Sequence, residues 1–388
     1  MANRIIYQSD ALFVSSGVSS TSSGQHAQLR RVQSANYSFN VNRTDVNQFG
    51  QLARIDTVIL ETPTINVDVS YLLGNGFNEQ ALGFSRSANF GAGVTGFIKN
   101  QIAFDSAQGT SGINMYILTT PEGTDANVAR DSATNDYSVI GLGNLYLSDY
   151  TLDASVGDFP TVSISMEGLN ANATTGVSGS TGAGGAVTGF TGASGVGILP
   201  VSGTQLSAFT GSGILFPAPS ESTGASIPTA LKPGDITLTL ENANTKTFYT
   251  ISGASDSAHV QSVSLSVPLS RTPIEKLGST FAFARPVDFP VTPTLSVSAV
   301  VNAQNQQAIH DIIADDGFID SLTIAFATGT TNVAQYQLKN VKLDSESVSS
   351  SIGPNKTVDM TFSVAIGGPD DTANNIFFSG AHTAAIFS

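Results

Sequence analysis

The residues best suited to chemistry in this chain are four histidines, two aspartate pairs, one glycine-rich run and an Arg-Thr that occurs twice. His26, His259, His310 and His382 are too scattered to form a metal-binding spacing, so packed or surface imidazoles are expected. Asp315-Asp316 and Asp370-Asp371 attract cations in principle, but neither pair sits in the alternating oxygen donors of a calcium loop. Solvated turn carboxylates are the expectation there. The run Gly179 to Gly185 follows no buried strand and opens no helix, which is the context a phosphate-cradling turn requires. No Gly-Lys pair and no Gly-x-Ser-x-Gly elbow occurs. The absence of cysteine removes disulfides, thiolate metal sites and Cys nucleophiles together. No nucleophile, base or metal set assembles from these residues, so neither an enzyme nor a cofactor is expected.

The repeated Arg-Thr leads back to the elements that carry it. Arg43-Thr44 lies in Val32 to Gly50, VQSANYSFNVNRTDVNQFG, and Arg271-Thr272 in Val260 to Gly278, VQSVSLSVPLSRTPIEKLG. The two stretches align without a gap at an offset of 228, and Gly50 meets Gly278. Apolar residues face apolar ones at Tyr37/Leu265, Phe39/Val267 and Val41/Leu269. A second pair of stretches, Leu142 to Ile164 and Leu338 to Met360, aligns at an offset of 196, with Asn144/Asn340 and Gly157/Gly353 among the identities. Identities combined with a matched apolar pattern mark an internal duplication. The first copy then carries 32 more residues between the two signatures, much of them expected in the Gly/Asn/Ser-rich 74–108.

The pattern along each copy is that of half-buried strands. Ala11 to Ser15, Asn36 to Val41, Ile65 to Leu73, Ile113 to Thr119, Tyr137 to Leu147 and the end of Val156 to Glu167 read as strands in the first copy. Asp235 to Leu240 and Thr247 to Ile251 open the second. At most one helical turn is expected around Val94 to Asn100, and one helix over Ala303 to Asp315, with Gly317 just past its end. The resulting expectation is a mainly β chain of two tandem β-sandwich or barrel units, 1–170 and 235–388, each with at most one short helix. A Gly/Ser/Thr-rich linker or small β insertion, 171–234, joins them.

Composition narrows the function classes. Sixteen basic against thirty acidic residues leave a net charge of −14, which disfavours wrapping nucleic acid by phosphate neutralisation. The first twelve residues lack the apolar core of a secretory signal, and no run approaches the ~20 apolar residues of a membrane-spanning helix. A soluble chain without a membrane anchor is expected. Arg43, Thr44, Gly50, Arg271, Thr272 and Gly278 are the candidate site residues. They serve either at a contact between subunits or at a strand end, where an arginine satisfies carbonyls or a carboxylate.

Val-Gln-Ser, the alternating strand, Arg-Thr, the apolar-Gly turn and a Pro-led strand (LETPTINVDVS, FPVTPTLSVSAV), closed by SIGPNKTVDMTFSV, resemble the tail tube or major tail proteins of long-tailed bacteriophages. The resemblance covers most of 30–170 and 235–368. It implies a β-sandwich or small barrel with one flanking helix, whose inner strands join those of neighbours in rings that stack into a tube. The implied setting is the virion tail, assembled in the host cytoplasm. Its implied partners are copies of the chain itself, a tape measure and other tail proteins, with phage DNA passing through the lumen without specific binding. Such proteins usually place one unit in each of six subunits, whereas two units in one chain favour a trimer over a hexamer. Other tail rings, a terminator or baseplate component, share the pattern. A tandem β-sandwich adhesin or glycan-binding protein is the alternative from another class.

Overall fold

The computed structural model describes residues 10–15, 26–60, 63–87, 95–101, 112–120, 126, 137–181, 187–191, 231, 236–241, 249–250, 259–278, 282, 285–300, 303–304, 318–328, 331–349 and 356–382. The chain is mainly β. In the first copy the strands are β1 (Asp10–Ser15), β2 (His26–Gln28), β3 (Val32–Asn40), β4 (Arg43–Val46), β5 (Asp56–Ile59), β6 (Thr64–Leu72), β7 (Ile113–Thr119), β8 (Tyr137–Ser155) and β9 (Thr161–Gly168). A short helix, α1 (Phe77–Ala81), follows β6. Next come β10 (Asn170–Thr181) and β11 (Val187–Thr191), and then β12 (Ile236–Glu241), β13 (Tyr249–Thr250), β14 (His259–Pro268), β15 (Thr294–Val300) and β16 (Ala303–Gln304). The chain ends with β17 (Phe318–Thr328), β18 (Thr331–Ser349), β19 (Thr357–Ser363) and β20 (Ile376–Gly380).

Period-2 patterning builds these strands. In β6, Ile65, Val67, Val69 and Tyr71 are buried while the residues between them are not. In β15, Leu295, Val297 and Ala299 do the same, and in β19 Val358, Met360 and Phe362 follow. Each such side chain contributes roughly 1.5–3 kcal/mol of transfer free energy when fully buried. Pro63 precedes β6, where its missing N–H removes no ladder bond.

Sixteen of the described strands form one sheet, and within it the duplication is visible as topology. The path β1-β7-β8-β9-β6-β3 of the first copy recurs as β12-β17-β18-β19-β15-β14 in the second. Register recurs as well. Leu147 opposes Met166 as Leu343 opposes Phe362, and in both ladders the register then slips by one residue, before Asp149 and before Ser345. Val32 opposes Tyr71 as Val260 opposes Ala299, again with a slip at the next residue, Gln33 or Gln261. These matched bulges each place an extra residue in one strand and bend it. The first half of each long strand also gains an outer neighbour, β10 on β8 and β20 on β18.

Several expectations need adjustment. The helix expected over Ala303 to Asp315 begins as strand β16, paired with β13, and its remainder lies outside the described residues. The helical turn expected around Val94 to Asn100 is present at residues 97–101, and the first copy carries a further short helix, Phe77–Ala81, that the pattern did not indicate. Of the 171–234 segment, β10 and β11 form a hairpin and β10 continues the main sheet, so this part is β rather than linker. The extra length of the first copy sits in two places. The connection 73–112 exceeds its counterpart 301–317, and 120–136 exceeds 329–330.

The long 74–108 segment orders in part against the second copy. Phe97 N donates to Ile376 O at 2.7 Å and Ser87 N to Phe378 O at 2.7 Å. Phe84 and Phe97 stack at 4.2 Å between centroids, and Phe97 meets Tyr150, Tyr336 and Phe378 in tilted or edge contacts. The buried core therefore runs through both copies without interruption.

Candidate assembly interface

The two copies meet edge to edge. The second half of β8 pairs with β14 from Asp149↔Pro268 to Ser155↔Ser262, antiparallel and without a register slip. β9 covers the opposite edge of the same half-strand. Leu152, opposite Leu265, and Tyr150, opposite Val267, are fully buried together with their partners. Leu269 N extends the ladder to Ser148 O at 2.9 Å, and Val156 N reaches Gln261 O at 2.9 Å.

Arg271 closes the end of this joint. It follows β14, and its guanidinium donates to Arg285 O at 2.9 Å, Gln101 O at 2.9 Å and, through Nε, Leu147 O at 3.4 Å. The group also stands 5.2 Å over the Tyr146 ring. Three carbonyls from three segments thus share one planar fork, a geometry that a lysine cannot supply. Arg285 crosses the same joint to Glu167 at 3.5 Å. Burial lowers the Arg285 pKa, and the Glu167 carboxylate opposes that fall. Thr272 Oγ1 and Ser270 Oγ both donate to the Asp288 carboxylate, at 3.0 and 2.7 Å.

The first-copy counterparts are arranged differently. Arg43 pairs with Ile59 in the β4–β5 hairpin, as Arg271 bridges Val287, but Arg43 and Thr44 are exposed. Leu265 and Val267 are fully buried, whereas Tyr37 and Phe39 are 42% and 68% exposed. Val348, the counterpart of Leu152, is 38% exposed. Gly50 and Gly278 both adopt φ near +85° (87° and 84°), the left-handed region that favours glycine. The preceding Phe49 and Leu277 point fully into solvent. Asn144 and Asn340 repeat this theme at φ 53° and 57°.

The β4–β5 hairpin, a separate two-stranded sheet, displays Val46, Phe49, Leu52, Ile55, Ile59 and Leu60 as exposed apolar residues. Asp45 braces it, accepting from Arg54 at 3.1 Å and Thr57 Oγ1 at 3.2 Å. The exposed apolar side chains of this hairpin are a candidate contact surface.

A buried polar cluster lies behind the joint, and sequence patterning gave no sign of it. Tyr71 Oη donates to Glu79 Oε1 at 3.0 Å, and the Tyr150 and Tyr336 hydroxyls meet at 2.6 Å. Burial pushes the Glu79 carboxyl up to about 7, against the lowering effect of its own backbone amide and Tyr71. Burial likewise raises all three tyrosines well above their usual value.

The histidines and aspartates do not converge. His26 is buried 5.7 Å from the Tyr116 ring, His259 begins β14, and His382 packs edge-on to Phe77 at 5.1 Å. His310 and Asp315-Asp316 lie outside the described residues. Asp370 pairs with Lys99 at 2.7 Å. Slight burial raises the Asp371 carboxyl, but the amides of Asn374, Gly367 and Ala373 together bring it below its usual value. Among the described residues no group of three or more His, Asp or Glu is placed to hold a metal ion, and no helix is long and apolar enough to cross a membrane.

No protein-family model matches the chain, and no curated protein matches it significantly. Solved structures resembling it include the tube-terminating cap of the anti-feeding prophage, at 10% identity and TM-score 0.28, covering 42% of this chain and 99% of that one. An Hcp protein resembles it at 11% identity and TM-score 0.22, covering 38% of this chain and 96% of that one. At TM-scores this low the likeness carries no argument about function.

Proposed function

We propose that this chain is a structural virion protein whose copies close into rings and stack into a phage tail tube, a hollow conduit for the genome. The observation that carries this reading is the joint between β8 and β14. One chain already joins two equivalent β units edge to edge, and the counterparts of the two joined strands, β3 of the first unit and the second half of β18 in the second, carry exposed apolar residues. A sheet that grows by adding equivalent edges has no natural end unless it closes, and closure removes the open edges.

The exposed apolar β4–β5 hairpin supplies a second surface, suited to contact between stacked rings. The net charge of −14 suits a wall that does not adhere to DNA. The Val-Gln-Ser and Arg-Thr strand signatures, which resemble tail tube proteins, agree with both. With two units per chain, three chains present six units, so a trimeric ring is the favoured stoichiometry.

Negative-stain microscopy of the purified full chain, with ring mass measured by light scattering, tests the proposal. Hollow rings or tubes of three chains are expected. A persistent monomer at high concentration, or one that binds glycans, would overturn it.

A further inference from the structure

The geometry points to a specific pair of strands that joins one copy of this chain to the next: β3 of one chain on the second half of β18 of its neighbour. This rests on the proposed self-assembly and names the surfaces that perform it. β8 and β18 are equivalent long strands. The first half of β8 is flanked by β7 and β10, and the second half by β9 and β14. The first half of β18 is flanked by β17 and β20, and the second half by β19, while no described strand takes the place that corresponds to β14. The missing neighbour is a strand of the β14 kind, and the chain's other strand of that kind is β3. Among the described residues β3 pairs with β6 alone, whereas β14 pairs with both β15 and β8.

The internal joint then dictates the register of the external one. Leu265↔Leu152 becomes Tyr37↔Val348, and Ser266↔Thr151 becomes Ser38↔Ser347. By the same correspondence Ser264↔Asp153 becomes Asn36↔Ser349, and Pro268↔Asp149 becomes Asn40↔Ser345. Tyr37, Phe39 and Val348 are exposed at the places where Leu265, Val267 and Leu152 are fully buried, while Phe39 falls opposite Glu346, the half-buried counterpart of Tyr150. Charge agrees. Leu269 N binds Ser148 O and Arg271 binds Leu147 O, so Arg43 falls beside Leu343 and Asp344 of the neighbouring chain. A second copy is the occupant because the chain already contains one complete instance of this contact and both halves of another.

The absence of native cysteine makes the test direct. A Ser38→Cys/Ser347→Cys double variant, oxidised after assembly, is expected to give a dithiothreitol-sensitive ladder of covalent multimers on a non-reducing gel. Directly opposed cross-strand Cα atoms lie within disulfide reach. On a trimeric ring the ladder ends at three chains. Thr151→Cys/Ser266→Cys is the positive control and closes within one chain, leaving a monomer. Asn36→Cys/Ser349→Cys serves as an independent pair should the first variant misfold. A symmetric dimer from Ser38→Cys alone, or an intrachain crosslink from the double variant, would overturn the joint. Rings without a ladder from either correctly folded pair sink the joint and leave the tube standing. A ladder without rings keeps the joint and sinks the tube.

Discussion

The hydroxyls of Tyr150 and Tyr336, one from each copy of the repeat, meet at 2.6 Å in a fully buried site. Removing one leaves the other short of a partner. Tyr336→Phe or Tyr150→Phe is expected to destabilise the chain by about 1–3 kcal/mol, while the double Phe variant costs less than the sum of the two. Denaturant midpoints of the four proteins in this cycle measure the coupling.

Glu79 adds a pH dependence with a definite sign. Its carboxyl is raised from 4.5 to about 7 by burial, so the unfolded chain releases this proton before the folded one does. The contribution to stability is complete below pH 4.5 and declines as pH rises through 7, for a total loss of about 3 kcal/mol. Glu79→Gln is expected to flatten the fall in denaturant midpoint between pH 5 and pH 7.5. An unchanged slope in the variant would rule this out.

The two equivalent arginines are expected to separate in mutagenesis. Arg271→Ala strands three carbonyl acceptors and loses a contact over Tyr146, which costs about 2 kcal/mol in thermal or chemical unfolding. Arg43→Ala removes an exposed side chain and leaves the unfolding midpoint of the unassembled chain unchanged, but weakens assembly in sedimentation.

Gly50 and Gly278 supply a control for the turns. Space is open around both, so Gly→Ala at either position meets no atom and costs only the backbone strain of positive φ, about 1 kcal/mol. Equal losses at the two sites, measured by calorimetry, are the expected outcome.

Polar replacement at the hairpin tip, Phe49→Ser with Leu52→Ser, touches residues fully exposed in the single chain. The melting temperature should stay within a degree or two, while the length of assembled particles in micrographs shortens. A large drop in melting temperature would instead mark the tip as part of the core.

Much of the strand framework is legible in the residues themselves. Alternation located β6 and β9 closely, because a half-buried strand imposes period 2 on its own sequence. The two gapless offsets run through the matched bulges at Gln33/Gln261 and before Asp149/Ser345 without revealing them, since each copy retains the same extra residue. The joint itself was not legible. Phe39 and Val267 occupy the same phase of the same pattern, and only the presence of β8 decides that one is buried and the other exposed. Glu79 escaped notice because burial of a carboxyl depends on Tyr71 and distant aromatic residues, not on its neighbours in sequence. The expected helix over 303–315 rested on Ile and Ala spacing, while β16 forms through its pairing with β13.

The joint between β8 and β14 also imposes arithmetic. Because two units share one covalent chain, any closed assembly that uses this joint holds an even number of units, and every second seam is secured at an effective concentration that dilution cannot lower. That asymmetry frees the two kinds of seam to differ. The permanent one is lined by Leu265 and Val267 and shielded by Arg271, as in a protein interior. The one proposed between chains carries Tyr37 and an exposed Arg43, amphipathic residues that a chain can hold in water until its neighbour arrives, beside the apolar Phe39.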